Sequence, residues 1–245
     1  MPATLYVVHG SHPCAAVRRA LDLKGIAYRT VEYPPTLQVP LQRLRFGGRT
    51  VPGFVTADGE KLLGSTAILR RLDEIAPEPP MFAGARVADA EAWGESVLQP
   101  LARRVLWRGF ALNHRAMHGY QAGSRLPPLP RPVVLALAPI ITRLEARMNQ
   151  VSDAAVRADL RALPGHLDHA DALIADGVIG GDPPNAADLQ VASSLRLIMT
   201  VGDVGSLFVS RPCADLAHLL FPDQAGELPA GTFPAAWLPE NEASG

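Results

Sequence analysis

The amino-acid sequence predicts an α/β domain followed by an all-helical domain. The first third alternates short apolar strands with helices in the order β-α-β-α-β-β-α. The proline-rich stretch 77–80 then interrupts the chain, and no convincing strand follows it. Strands joined through a helix run parallel, and strands joined by a two-residue turn run antiparallel. The first two strands are therefore predicted to be parallel and the last two antiparallel.

The composition excludes several classes of protein. The 245 residues are 48% hydrophobic and 19% charged, and the formal net charge is −1, so there is no electrostatic case for a nucleic-acid or anionic-membrane partner. No apolar run has transmembrane length, and the first residues lead straight into a strand without a signal peptide. Two cysteines, Cys14 and Cys213, make no disulfide framework, so we expect a cytoplasmic protein.

The first candidate site lies at the first turn of the chain. Residues 5–9 are predicted to form a buried strand, and Pro13 opens a helix over residues 13–23, because proline suits the first helical turn. The turn places Ser11, His12 and Cys14 where backbone N–H groups and the positive end of the helix dipole meet. Such a place stabilises an anion, including a thiolate.

Three more strands are predicted in the first third, over residues 27–33, 50–56 and 61–63. Residues 36–46 form a weakly helical segment between the first two of them. Asp58-Gly59 is a strong hairpin turn. Ser65 is predicted to cap a helix that ends at Pro77.

Four helices are predicted in the rest of the chain, over about residues 86–119, 133–149, 152–176 and 186–200. The apolar faces of the first two consist of Trp93, Val97, Leu101 and Val105, and of Leu137, Ile141, Leu144 and Met148. Pro100 is expected to bend the first helix, and Pro164 to break or kink the third. Asn185 and Asp188 form a capping box for the fourth, which is apolar nearly all round and is predicted to be the buried central helix.

These elements predict domains at residues 1–78 and 84–221 and an irregular tail at 222–245. Phe233 and Trp237 are expected to anchor the tail, and its last residues are expected to be loose.

Three motifs, taken in order, resemble those of the cytosolic glutathione S-transferases over about residues 4–220. They are the strand–turn–helix with Ser11-His12-Pro13-Cys14, the segment Thr50-Val51-Pro52, and Gly181-Asp182 followed by Asn185-Ala186-Ala187-Asp188. The resemblance implies a thioredoxin-like amino-terminal domain, the all-helical carboxy-terminal domain of that family, and a homodimer. It also implies glutathione as co-substrate.

The resemblance assigns roles to five residues. Ser11 faces the glutathione sulfur, where a hydrogen bond from its hydroxyl favours the thiolate. Pro52 is cis, so that Val51 exposes its backbone to the tripeptide. Ser65 and the N–H of Thr66 hold the γ-glutamyl carboxylate at a helix N-terminus.

Position 64 departs from the family pattern, because Gly64 stands where an acidic residue or glutamine normally meets the γ-glutamyl ammonium. The co-substrate is therefore predicted to be glutathione or another low-molecular-weight thiol. Cys14, as a thiol of lowered pKa, is the alternative to Ser11, although its spacing favours the core behind the site. His12 is predicted to be exposed and is a candidate contact for the ligand.

The acceptor side is predicted on the long helix after the linker, which lines the acceptor pocket in the family. The candidates for binding a small hydrophobic electrophile are Trp107, Phe110, His114 and His118. His114 and His118 are four residues apart and share one face of an α-helix, a spacing that also suits a metal or haem iron. No third ligand is visible in the sequence, so no metal is predicted.

Two functions remain open from the sequence. The first is a transferase that conjugates or reduces a small hydrophobic electrophile with a thiol, and Ser11, Val51-Pro52 and Ser65 favour it. The second is a non-catalytic protein of the same fold that binds a hydrophobic or planar, haem-like ligand, or a protein partner, in the interdomain cleft. Gly64 favours this second function.

Overall fold

The computed structural model describes residues 2–239. The expectation that the last residues of the tail are loose falls on residues 240–245 and lies outside the described part. The amino-terminal part consists of β1 (Ala3–Val8), α1 (His12–Leu23), β2 (Tyr28–Tyr33), α2 (Gln38–Phe46), β3 (Gly53–Val55), β4 (Lys61–Leu63) and α3 (Ser65–Ile75).

The four strands form one mixed sheet of order β2-β1-β3-β4. β1 is parallel to β2 and antiparallel to β3, and β3 is antiparallel to β4. The sequence-based prediction of both strand pairs is confirmed. α1 and α3 cover one side of the sheet, where Val17, Leu21, Ile68, Leu69 and Leu72 are fully buried.

The second part is helical. Its α-helices are α4 (Ala85–Trp93), α5 (Gln99–Leu112), α6 (Arg131–Met148), α7 (Asp153–Ala175), α8 (Ala186–Ile198) and α9 (Pro212–Leu220). All but one of the thirteen residues of α8 are buried, and both hydrogen bonds of the Asn185–Asp188 capping box are present, which confirms the predicted central helix. Phe233 and Trp237 of the tail are also buried, as predicted.

The long helix predicted over residues 86–119 is interrupted twice. A π-helical turn, Gly94–Leu98, separates α4 from α5 and inserts one extra residue into the helical repeat. The insertion rotates the apolar face, so that Leu98 is fully buried in place of the predicted Val97. α5 ends at Leu112 because Asn113 leaves the helical region, with φ −135° and ψ 79°, and a 3₁₀-helix follows over His114–Gln121.

The apolar face predicted for α6 is not the face that the structure buries. Leu137 and Leu144, which belong to the predicted face, are 40% and 44% exposed, and Ile140 is 57% exposed. The buried face carries Val134, Ala138, Thr142 and Glu145 instead. Glu145 is drawn inward because its carboxylate accepts hydrogen bonds from Gln38 of α2 and from Asn149. The more apolar side of α6 therefore faces outward.

Pro164 was predicted to break or kink the helix, and the break does not occur, since α7 continues through Pro164 to Ala175. Within residues 2–239, none of the helices combines the length and the apolar character that crossing a membrane requires.

Candidate functional site

Three segments of the amino-terminal part converge at one end of the sheet. The β1–β3 pairing ends at Tyr6 and Gly53, so the Val51–Pro52 bond, directly before β3, lies at the end of the sheet where β1 leads into the turn that holds Ser11. The N–H of Gly64 donates to the carbonyl oxygen of Pro52 at 2.9 Å, which brings the start of α3 to the same place. The starts of α1 and α3 and the Val51–Pro52 bond thus form one site.

Ser11 is the half-buried N-cap residue of α1, and its side chain makes no capping hydrogen bond. Three residues further on, Cys14 is 2% exposed. Burial raises the pKa of Cys14 to about 11, and hydrogen bonds from the Ser11 side chain and the Val8 backbone offset only part of this shift. The sequence suggested a lowered pKa for Cys14, and the structure raises this pKa instead. The Cys14 thiol is therefore uncharged at neutral pH.

His12 is buried, at 2% exposure, and the prediction that it is exposed is wrong. It is the first residue of α1, where the helical part packs over the turn and Arg103 of α5 interacts with it electrostatically. Burial, and then repulsion from Arg103, hold the pKa of His12 well below its usual value, so its ring is neutral. Its Nε2 atom is buried without a hydrogen-bond partner among the described residues.

The Val51–Pro52 peptide bond is cis, as predicted. Val51 itself is half-buried, and neither its N–H nor its C=O forms a backbone hydrogen bond with the described residues. An unpaired peptide group beside the end of a sheet is suited to pair with an extended peptide ligand.

The N-cap of α3 is Gly64, which corrects the prediction that Ser65 caps this helix. Gly64 has φ +91°, a conformation that residues with a side chain rarely adopt. Ser65 is 3% exposed, and its Oγ accepts hydrogen bonds from the side-chain amides of Gln99 and Gln190, each at 3.1 Å. The Ser65 hydroxyl can therefore still donate its own hydrogen bond to another acceptor.

Two carboxylates stand beside the start of α3. The Oγ1 atom of Thr66 lies 2.6 Å from Oε1 of Glu91 and 2.5 Å from Oε2 of Glu95. Glu91 is fully buried, and its second oxygen, which has no hydrogen-bond partner among the described residues, forms an ion pair with a guanidinium nitrogen of Arg70 at 3.7 Å. Free amides at the start of α3 favour an anion and the two carboxylates favour a cation, so this end of the site suits a zwitterionic group.

Sequence reasoning missed the four residues of the helical part that surround Ser65 and Thr66, namely Glu91, Glu95, Gln99 and Gln190. One of these four residues could have been recognised from the sequence. Gln190 lies in the middle of a helix that is otherwise apolar nearly all round, and a polar residue in such a position must find a buried partner.

The residues predicted to line the acceptor pocket are only partly brought together. Phe110 is 4% exposed and packs against Trp107 and Tyr120, with ring centroids 5.5 and 4.8 Å apart, so it belongs to the helical core. His114 and His118 lie on a 3₁₀-helix, where residues four apart point in different directions, so the predicted shared face is wrong. Within residues 2–239, no three His, Cys, Asp or Glu side chains form a group suited to a metal ion.

His118 lines a cavity of about 350 Å³ together with residues from the segment 119–128, which we call the connector. This connector is docked on the amino-terminal part, because Nε2 of His9 lies 2.8 Å from the carbonyl oxygen of Ala122. The carboxylate of Glu32 accepts hydrogen bonds from Ser124 Oγ and from the N–H of Arg125. The connector thus lies beside the turn that begins at His9.

The amino-terminal part is similar to a known family of domains. Residues 5–80 match the family model described as the glutathione S-transferase N-terminal domain. None of the curated proteins matches the chain.

Solved structures of similar fold cover most of the chain. A glutathione S-transferase from Rhodospirillum rubrum F11 is 24% identical, with 89% of this chain and 87% of that chain covered and a TM-score of 0.58. One from Methylobacterium radiotolerans, in complex with glutathione sulfonate, is 17% identical, with 95% and 97% covered and a TM-score of 0.59. Poplar glutathione transferase F1 is 16% identical, with 97% and 95% covered and a TM-score of 0.56.

Proposed function

We propose that this protein is a thiol-dependent transferase. Residues 5–80 match the model of the glutathione S-transferase N-terminal domain, and the chain has the fold of the glutathione S-transferase structures, which supports the proposal. Its co-substrate is glutathione or a similar thiol peptide, and its acceptor is a small electrophile. The observation that carries the proposal is the unpaired peptide group of Val51 beside the Ser11 turn, because it offers a thiol peptide a backbone partner next to a hydroxyl.

Ser11 activates the thiol in this proposal. Its hydroxyl donates a hydrogen bond to the sulfur of the bound peptide and favours the thiolate. The thiol proton passes to water. The thiolate then attacks the electrophile, so that a carbon–sulfur bond forms and the leaving group departs with its electron pair.

The γ-glutamyl end binds at α3. The free amides of Ser65 and Thr66 hold its carboxylate, and Glu91 and Glu95 meet its ammonium in place of the side chain that Gly64 lacks. The complex of the Methylobacterium radiotolerans protein with glutathione sulfonate supports the choice of glutathione among cellular thiols.

A thermal-shift titration tests the proposal. Millimolar glutathione is expected to raise the melting temperature, because a ligand at 100 times its Kd stabilises the native state by about 2.7 kcal/mol. If another cellular thiol raises the melting temperature and glutathione does not, the co-substrate is that thiol and not glutathione. The absence of a shift with any thiol would contradict the proposal in favour of a non-catalytic binder.

The partner protein in this proposal is a second copy of the chain. Seven large apolar side chains are exposed on two adjoining helices, and we call them the α2–α6 surface: Leu37, Leu41, Leu44, Val133, Leu137, Ile140 and Leu144. A hydrogen bond from Gln38 to Glu145 joins the two helices. These seven side chains are between 39% and 88% exposed, and a contiguous apolar patch of this kind marks a protein–protein contact.

A further inference from the structure

The sheet has an outer face, on the side away from α1 and α3. Successive residues of a strand point to opposite faces, so Tyr6 points away from the core that contains Leu5 and Val7. The register places Tyr33, at the end of β2, and Lys61, on β4, on the same face as Tyr6, because residues paired across strands share a face. The outer face is therefore separated by the sheet from α1 and α3, whose first turns form the candidate site.

Helix α2 packs on the outer face and brings Arg45 over it. The ring of Phe46 contacts Tyr6 edge to face, with centroids 5.5 Å apart, and the rings of Tyr6 and Tyr33 stack at 5.7 Å. The guanidinium carbon of Arg45 lies 4.6 Å from the centroid of the Tyr6 ring, which is a cation–π distance. Arg45 is thus positioned by buried aromatic rings, while its side chain stays open to solvent.

A cavity of about 230 Å³ lies between α2 and the outer face, and it is lined by Tyr33, Leu41, Leu44, Arg45 and Lys61. The volume is smaller than the roughly 300–1,000 Å³ of pockets for drug-sized ligands, so the cavity suits a ring or a short chain. Leu41 and Leu44 also belong to the α2–α6 surface. The cavity therefore lies where that surface meets the sheet.

The lining of this cavity is positively charged. Arg45 and Lys61 are exposed, and neither side chain forms an ion pair within residues 2–239. Two carboxylates adjacent in sequence to the lining are bound elsewhere, since Glu60 forms an ion pair with Arg71 at 2.7 Å and Glu32 accepts hydrogen bonds from the connector. Within the described part of the chain, two cations thus line the cavity together with no carboxylate.

We propose that this cavity binds a small anion with an apolar body, such as an aryl or alkyl carboxylate or sulfonate. Arg45 and Lys61 donate charge-assisted hydrogen bonds to the anionic group. Leu41 and Leu44 contact the apolar part and remove it from water. The Tyr33 hydroxyl keeps its proton at neutral pH and is a further donor, because burial raises the pKa of Tyr33 and the guanidinium of Arg45 offsets only part of this shift.

Three probes test this chemistry by calorimetric titration of the full chain. The first two are 2-naphthoate and 2-naphthamide, which differ in the charge of one group, and the third is inorganic sulfate, which has no apolar part. Saturating S-hexylglutathione is present throughout, so that naphthoate does not bind at the proposed thiol site. The native protein is expected to bind 2-naphthoate at least tenfold more tightly than either of the other probes.

The variants Arg45→Met and Lys61→Met assign the binding to this cavity. Each is expected to weaken binding of 2-naphthoate at least threefold and to leave 2-naphthamide unchanged, whereas Lys61→Arg retains the affinity. Both positions are exposed, so the variants are expected to melt like the native protein. Arg19→Met is the matched control, because Arg19 is an exposed arginine of α1, on the other side of the sheet, whose side chain bonds to none of the described residues.

Each outcome decides the inference. Loss of naphthoate affinity in Arg45→Met and Lys61→Met, and not in Arg19→Met, supports the site. Equal affinities for naphthoate and naphthamide, equal effects of the three methionine variants, or no binding of naphthoate would overturn it. Sulfate that binds as tightly as naphthoate would contradict the apolar body of the ligand. The result does not depend on the proposed function, because the variants change the outer face and a protein that binds no thiol gives the same comparison.

Discussion

The side-chain amide of Gln190 donates a hydrogen bond to Ser65 Oγ at 3.1 Å across the boundary between the two parts of the molecule. Gln190 is fully buried at the centre of α8, and Ser65 is the first residue of α3. The amide of Gln99 from α5 donates to the same oxygen and also to Oε1 of Gln190. The start of α3 is therefore held in place by two helices of the helical part.

Replacing Gln190 with methionine is expected to lower the free energy of unfolding by about 2 kcal/mol, because the buried side chains of Ser65, Gln99 and Glu91 each lose a hydrogen-bond partner. Urea unfolding measures the loss. Gln224→Met, at a half-buried position of the tail, is the control and is expected to change the value by less than about 0.5 kcal/mol. If Gln190→Met is as stable as the control, the prediction is wrong, and the hydrogen bonds of Gln190 position α3 without stabilising the fold.

Ser11→Ala is expected to reduce kcat/KM for conjugation about 100-fold, because a hydrogen bond to the developing thiolate is lost. Its melting temperature is expected to stay close to that of the native protein, since the Ser11 side chain does not cap α1. Steady-state kinetics with glutathione and a chromogenic electrophile provide the measurement.

Cys14→Ala serves as the comparison for this prediction. Cys14 is an uncharged thiol near neutral pH, so the variant is expected to retain most of the activity. Activity that survives Ser11→Ala and disappears in Cys14→Ala would transfer the activating role to Cys14.

The parts of the fold that the sequence predicted correctly depend on local chemistry. The Asn185–Asp188 box determines where α8 begins, because it acts within four residues of chain. The predicted β3–β4 pair also forms, but its turn lies one residue earlier than predicted: the N–H of Gly59 donates to the carbonyl oxygen of Thr56 at 3.1 Å, which puts Ala57 and Asp58 at the centre of the turn. The position of Val51 and Pro52 followed from their motif in the same way.

The errors concern contacts between residues distant in the sequence. The periodicity of α6 identified an apolar face, but which face turns inward is decided by Glu145 and its bond to Gln38, 107 positions away. His12 was predicted to be exposed because nothing in the local sequence shows that α5 brings Arg103 towards it. Spacing along the chain does not reveal what a side chain packs against.

The α2–α6 surface is expected to form the interface between two copies of the chain. Introducing Leu137→Glu and Leu144→Glu together buries two charges in that interface, so light scattering after size-exclusion chromatography should change from a dimer to a monomer. Leu219→Glu, at a position on α9 that is 75% exposed and away from this surface, should leave the dimer intact. A dimer that survives the double substitution, or a native protein that is monomeric, would contradict this interface.

The buried thiol of Cys14 predicts a loss of stability at alkaline pH. Below pH 9 the thiol is protonated in both the folded and the unfolded chain. Between pH 9 and about 11 the unfolded chain loses this proton while the folded chain keeps it, so the unfolded state is favoured as the pH rises. Two pKa units at about 1.4 kcal/mol each amount to about 3 kcal/mol.

Urea unfolding at several pH values between 8 and 11 should show this dependence, and comparison with Cys14→Ala isolates it from the tyrosines and Cys213, which titrate in the same direction. The fall in unfolding free energy over this range should be smaller in Cys14→Ala by about 3 kcal/mol. Alkylation by iodoacetamide gives an independent check, since a thiol with a pKa of about 11 reacts slowly at pH 8. Fast alkylation of Cys14 at pH 8, together with identical pH profiles of the two proteins, would mean that this thiol is ionised at the start of α1 and would restore it as the nucleophile.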